Sequence, residues 1–269
     1  MSEVDKLFAG SIPALYDRHL GPLMFEPYAV DMAERIVRLQ PGRLLEIAAG
    51  TGVVTRALVR YLSADTAIVA TDLNQPMLDF ADAQTAAANV TFRQADALSL
   101  PYEDSSFDVV VCQFGVMFFP DRPAAYREAR RVLKPGGRFL INVWDRLAEN
   151  EFADVVSHAV AALFPDNPPG FLGRTPYGYF DTIAIRAALG EAGFRRTEVE
   201  TLSRQSHAPS SRDAAIGFCE GSPLRNEIEA RGPGYLEKAV DAAATALAAR
   251  FGPGAIEGRL RAYVITAQR

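Results

Sequence analysis

The sequence predicts an α/β fold: a doubly wound, mostly parallel sheet with helices on both faces. Three observations carry that prediction. Between Arg43 and Trp144, short apolar runs alternate five times with segments of helical periodicity. The runs are apolar almost throughout, as strands covered on both faces must be. Breaks containing Pro and Gly punctuate the pattern, at Pro41-Gly42 and at Lys134-Pro135-Gly136-Gly137.

Each element follows from its residues. Leu7 to Leu20 places Phe8, Ile12, Leu15, Tyr16 and His19 at helical spacing, and Gly21-Pro22 ends that helix. A second helix runs from about Pro27 to Leu39, with Pro near its first turn. The first strand is Arg43 to Ala48, and a helix from Val53 to Leu62 follows. Thr66 to Asp72 is a β-branched run ending in an acid. Gln75 to Ala87 is helical, and Val90 to Asp96 is a third strand. Phe107 to Phe114, centred on three valines, reads as the most buried strand. Arg122 to Leu133 is a helix, and Gly137 to Trp144 a fifth strand.

The last third is less regular. Glu149 to Phe164 is helical, and Pro165 to Phe180 reads as an ordered lid rich in Pro, Gly and aromatic residues. Asp181 to Ala192 is a helix closed by Gly193. Arg195 to Leu202 is a sixth strand, and Arg259 to Ala267 a last one. The helices Ser210 to Gly232 and Tyr235 to Phe251 fall in an excursion between them, from Ser203 to Gly258. The second of these helices carries an apolar stripe that suits core packing or a homodimer contact equally well.

Composition narrows the function. The chain has 269 residues, 49% hydrophobic and 23% charged, an ordinary soluble composition. With 28 Lys+Arg against 33 Asp+Glu the net charge is −5, which argues against a nucleic-acid partner. Two cysteines, Cys112 and Cys219, match no zinc or redox spacing, and no metal site is expected. Arg127, Arg130, Arg131 and Lys134 read as a solvated face. No apolar run approaches the roughly 18 residues of a membrane span. The opening residues lack a signal-peptide pattern, so the expected compartment is the cytoplasm.

The chemistry should sit at the carboxyl ends of the strands, where such sheets bind ligands. Glu46-Ile47-Ala48-Ala49-Gly50-Thr51-Gly52 joins the first strand to a helix. Small residues allow a tight turn and close ligand approach, and the helix offers unpaired N–H groups. Asp72 can accept hydrogen bonds from both hydroxyls of a ribose, with Asn74 left to cap the next helix. Asp96 can accept from an exocyclic adenine amine or close an Asx-turn. The fourth strand ends at Gln113-Phe114.

These motifs, with Asp72-Leu73-Asn74-x-x-Met77-Leu78, Asp96-Ala97-Leu98-x-Leu100-Pro101, Ser106-Phe107-Asp108 and Leu133-Lys134-Pro135-Gly136-Gly137, resemble the class I S-adenosylmethionine-dependent methyltransferases. The likeness is to the small-molecule branch that includes the ubiquinone/menaquinone-biosynthesis C-methyltransferases, over about residues 10–145. It continues weakly to Phe194. It implies a Rossmann-like seven-stranded sheet with an antiparallel last strand. It implies that Glu46, Ala48, Gly50, Thr51 and Gly52 hold the methionine part of S-adenosylmethionine. Asp72 would bind the ribose, with Leu73 and Met77 beside the adenine or ribose, and Asp96 and Ala97 would read the adenine. Gln113 and Phe114 would lie near the sulfonium or the methionine end, and Tyr16 would cover the cofactor. Ala48 departs from the family, which has glycine there. The product would be S-adenosylhomocysteine.

In that reading residues 1–40 form a helical cap and 41–145 the cofactor core. Residues 146–202 carry the lid, 203–258 an acceptor-side helical insertion and 259–269 the last strand, all in one domain. The acceptor is a small, partly apolar or aromatic molecule, with Trp144, Tyr177 and Tyr179 as candidate pocket residues. Tyr16 and His19 are the candidates for a general base, where one is needed. Two other readings compete. One is a protein that binds S-adenosylmethionine without transferring its methyl group. The other is an NAD-dependent oxidoreductase, which Glu46 and the absence of Gly-x-Gly-x-x-Gly spacing disfavour.

Overall fold

In the computed structural model, which describes residues 10–269, the apolar runs become strands. They are β1 (Arg43–Ile47), β2 (Ala67–Asp72), β3 (Val90–Gln94), β4 (Phe107–Gln113), β5 (Leu133–Trp144), β6 (Arg196–Ala208) and β7 (Ile256–Gln268). They form one sheet in the order β3-β2-β1-β4-β5-β7-β6. The first five pair in parallel, and β7 is antiparallel. Strand order reverses between β1 and β4, which places the expected ligand crevice at their carboxyl ends.

The helices are α1 (Ile12–Leu15), α2 (Glu26–Val37), α3 (Val53–Tyr61), α4 (Gln75–Gln84), α5 (Arg122–Val132) and α6 (Glu151–Ala162). They continue with α7 (Phe171–Arg174), α8 (Thr182–Glu191), α9 (Ser211–Glu220), α10 (Leu224–Glu229) and α11 (Tyr235–Phe251). The chain divides into two compact units. One comprises Glu26–Val143, Phe180–Leu202 and Tyr263–Arg269; the other holds the described residues up to Phe25, Trp144–Tyr179 and Ser203–Ala262.

In the first unit Leu44, Leu45, Phe107, Val110 and Phe139 are fully buried in the sheet, and Met32 and Ile36 of α2 are buried with them. Each such side chain contributes about 1.5–3 kcal/mol of burial. In the second unit α11 packs on α9 and α6, and Ala239, Val240, Ala243 and Leu247 are buried there. The apolar stripe of α11 is therefore core. Phe152 of α6 meets Phe251 edge-on at 5.0 Å. Gly258 of β7 leaves room for that phenylalanine, since a Cβ there would lie 2.6 Å from its ring.

Several boundaries differ from the sequence reading, each for a physical reason. Leu7 and Phe8 lie outside the described residues. Gly21-Pro22 does not end the first helix: a π-helix runs from Tyr16 to Phe25 and leads into α2. Pro22 lacks a donor and would clash in regular α geometry, and a widened winding accommodates it. Pro135-Gly136-Gly137 does not break the chain before β5 but forms a bulge within it. The register passes from Phe107↔Leu133 to Val109↔Arg138, and Lys134 reaches back to Asp108 at 2.7 Å. β3 stops at Gln94, two residues short of Asp96. β6 runs on to Ala208 and β7 begins at Ile256, so the excursion between them is shorter than expected.

Arg130 and Arg131 are not a solvated face. Arg130 donates to the carbonyl of Gly193, and Arg131 to those of Leu100 and Tyr102 and to Glu128 and Asp104. Lys134 belongs to the strand rather than the helix. Among the described residues, no helix is long and apolar enough to cross a membrane.

Candidate functional site

The turn after β1 is built on left-handed backbone. Gly50 and Gly52 have φ of +57° and +81°, and Ala48 has +55°. A Cβ on Gly52 would lie 3.0 Å from that of Ala81 in α4. Glycine is therefore needed there for both conformation and space. At Ala48 the same conformation costs roughly 1–2 kcal/mol. The loop is pinned by Ala49 N–H donating to the Thr71 carbonyl at 2.9 Å and by Arg56 donating to the Thr51 carbonyl at 2.6 Å.

Two buried acids stand at this turn. Glu46 is 2% exposed and accepts from the Thr55 hydroxyl at 2.6 Å. Burial pushes its carboxyl up to about 8, and the nearby Asp72 charge adds to the rise. Asp72 is 8% exposed, and burial raises its pKa too, against the hydrogen bonds that favour the carboxylate. Its Oδ2 accepts from Gly50 N–H at 2.9 Å, and its Oδ1 from Asn74 N–H at 2.8 Å and the Asn74 amide at 3.3 Å. Asp72 is thus not left free by an Asn74 cap, as the sequence suggested. Asn74 stands at the N-cap of α4 without a side-chain cap bond, because its amide turns to Asp72.

Met77 is buried below the loop, 3.8 Å from where a Gly50 Cβ would stand, and Leu73 is 48% exposed. Asp96 is exposed, and its Oδ1 closes an Asx-turn onto Leu98 N–H at 2.9 Å. Ala97 within that turn is half-buried. Gln113 is half-buried at the end of β4, and Phe114 follows with φ +53°, its ring edge-on to Tyr28 at 5.3 Å. Ala48 and Phe114 thus place left-handed non-glycine backbone at the ends of both β1 and β4, while Gln40 and Ser105 adopt it ahead of the same two strands.

Gly115 explains how Ala48 is tolerated. A Cβ on Gly115 would lie 2.5 Å from the Ala48 Cβ and 2.7 Å from the Cys112 sulfur. Gly115→Ala is expected to cost about 2–3 kcal/mol in urea unfolding. Ala48→Gly alone should be neutral or stabilising by up to about 1 kcal/mol. Combined, the two should recover part of the loss; strict additivity would show that the two positions do not compete for the same space.

In the other unit, Tyr16 stacks on Phe25 at 4.8 Å, Phe25 meets Trp144 at 6.1 Å, and Trp144 meets Tyr177 at 6.0 Å. Trp144 and Tyr177 are buried, and Tyr179 is half-buried. His19 is largely buried, 3.8 Å from Asp213, and burial lowers its pKa. The segment 165–180, read from the sequence as a lid, holds a short helix, α7, and is held by Arg231, which donates to the Asn167 carbonyl at 2.9 and 2.8 Å, and by one carboxylate. Glu227 of α10 accepts from Gly170 and Phe171 N–H at 2.8 and 3.3 Å and from Arg174 at 2.6 Å. Sequence reasoning singled out neither Glu227 nor Thr55, because each acts through partners on another element.

The turn fits S-adenosylmethionine on its own terms. It has glycines where a Cβ would crowd it, two acids at adjacent strand ends, and a buried Thr51 hydroxyl without a partner. Residues 45–141 match the family model described as "Methyltransferase domain". The ubiquinone/menaquinone biosynthesis C-methyltransferase UbiE of Ectopseudomonas mendocina is 42% identical over 61% of this chain and 70% of its own length. The enzyme of the same name from Pseudomonas aeruginosa is 30% identical over 60% of this chain and 68% of its own. In fold, the chain matches a Haemonchus contortus phosphoethanolamine N-methyltransferase 2, solved with S-adenosylhomocysteine, at a TM-score of 0.64. That likeness carries 17% identity and covers the whole of this chain and 61% of the other. With the loop, the two acids and the strand order in place, this extent of shared sequence means that the chain belongs to the class I S-adenosylmethionine-dependent methyltransferases.

Proposed function

We propose that the chain transfers the methyl group of S-adenosylmethionine to a small organic acceptor with an apolar or aromatic body. The observation that carries this is the pair of buried acids, Glu46 and Asp72, on a left-handed glycine turn. When bound, the cofactor supplies a methyl group already activated by its sulfonium. Glu46 with Ala48, Gly50, Thr51 and Gly52 holds the methionine end. Asp72 takes the ribose, with Leu73 and Met77 beside it, and Asp96 and Ala97 take the adenine. Gln113 and Phe114 border the sulfur.

The protein's share of the catalysis is alignment and exclusion of water. Holding the reacting atoms about 3–3.5 Å apart lowers the barrier without further chemistry. The four-ring series Tyr16, Phe25, Trp144 and Tyr177 supports an aromatic acceptor, as do the names of the UbiE relatives. Tyr179, on the same lid, is kept as a pocket residue. Where the acceptor must lose a proton, His19 is the better base of the two candidates. Its lowered pKa leaves a neutral imidazole at pH 7. The buried stripe of α11 lends no support to a homodimer. Two unpaired thiols, Cys112 and Cys219, support a reducing compartment such as the cytoplasm.

The test is transfer from labelled S-adenosylmethionine to catechol, 1,4-naphthohydroquinone and phenethylamine, beside calorimetry with S-adenosylhomocysteine and with NAD. The expected result is micromolar S-adenosylhomocysteine binding, no NAD binding, and methylation of at least one aromatic probe. Tight cofactor binding with no methylation of any probe would remove the aromatic acceptor class.

A further inference from the structure

At the carboxyl end of the sheet, besides the Thr51 hydroxyl on the glycine turn, a second buried side chain lacks partners, and it lacks them at two polar atoms. Glu46 has Thr55, the Thr71 hydroxyl has the Glu46 carbonyl, and Asp72 has Gly50 and Asn74. Asn142 of β5 is 0% exposed, yet neither its amide oxygen nor its amide nitrogen has a hydrogen-bond partner. A buried amide with nothing to bond is costly, and sequences keep such groups where a ligand completes them.

Its position fits that explanation. Asn142 pairs in parallel register with Gln113, and Glu46 pairs with Val111 two residues earlier. Side chains alternate along a strand, so Glu46, Gln113 and Asn142 share one face. Asn142 lies on the side of β4 away from the glycine turn, beyond the residues given to the cofactor. A carboxamide is neutral and both donates and accepts. It matches a group that does the same, a hydroxyl, better than a carboxylate or an ammonium.

We infer that Asn142, with Gln113 beside it, takes a neutral hydroxyl of the acceptor and so fixes the acceptor's orientation. This rests on the acceptor reading above. The test uses Asn142→Leu, with Asn142→Ala as the variant that cannot overpack. Three quantities are measured: melting temperature without ligand, S-adenosylhomocysteine affinity, and transfer to catechol and 1,4-naphthohydroquinone.

For Asn142→Leu the melting temperature is expected to hold or to rise by about 2–4 °C, since an unpaired amide is removed. In both variants cofactor affinity should stay within twofold while kcat/KM for the hydroxyl acceptor falls at least tenfold. The KM for S-adenosylmethionine should not move. Transfer within twofold of wild type in either variant overturns the assignment, as does loss of cofactor affinity in both, which would mark a structural amide. A wild type that binds S-adenosylhomocysteine but methylates neither hydroxyl probe overturns the acceptor reading itself, and this inference with it.

Discussion

Binding of S-adenosylhomocysteine at pH 7 is expected to release a proton, and Glu46→Gln should abolish that release and weaken binding at least a hundredfold. Burial holds the Glu46 carboxyl up at about 8, so the ligand-free protein carries it mostly protonated at neutral pH. A ligand α-ammonium held by this group favours the carboxylate and drives the proton off. Calorimetry in phosphate and in Tris reads the release directly, because the two buffers differ in ionisation enthalpy. Heats independent of buffer would detach Glu46 from the ligand's charge. The same shift has a consequence for stability without ligand. The folded pKa lies above the unfolded value of 4.5, so the folded state binds more protons between them. Stability is therefore fully present below about 4.5 and is lost as pH rises through about 8. The ceiling on that loss is about 5 kcal/mol. Urea unfolding of wild type should weaken from pH 6 to pH 9, and Glu46→Gln should flatten the slope.

Asp72→Ala is expected to lower S-adenosylhomocysteine affinity at least a hundredfold and to cost about 2–3 kcal/mol of stability. The carboxylate does two jobs. It clamps the glycine turn through Gly50 and orders the start of α4 through Asn74. Its removal leaves both N–H groups without their acceptor. It also removes the group assigned to the ribose. Asp72→Asn separates the two effects. The amide keeps one oxygen for Gly50 or Asn74 but sets a donor against the other, so the turn is disturbed in part while the side-chain shape survives. Unchanged affinity in Asp72→Ala would confine the residue to shaping the loop.

The sheet was legible because its signal is local. Val109-Val110-Val111 and Ala67-Ile68-Val69 are apolar runs bounded by turns, and α11 is read from Tyr235 to Phe251 as it stands. The winding around Pro22 was not legible. A π-helix has no composition of its own; it records an accommodation of proline by neighbours that a sequence window does not contain. The bulge at Pro135 escaped notice for a related reason, since its Lys134–Asp108 contact joins two different strands. The glycine turn and its acids stood out because they are contiguous motifs. Thr55 and Asn142 did not, for their meaning lies in what each faces, or fails to face, across the fold.

Glu227 carries a lesson for engineering. Three donors from the lid converge on its one carboxylate, and Arg231 donates twice to the Asn167 carbonyl, so the segment 165–180 is fastened by Glu227 and Arg231, both outside its own sequence. Transplanting that segment from a relative imports a clasp without its keeper. Lid and α10 are thus a swappable cassette only when exchanged together. Libraries that diversify the lid while holding Glu227 constant should keep a higher folded fraction than those that randomise position 227 as well.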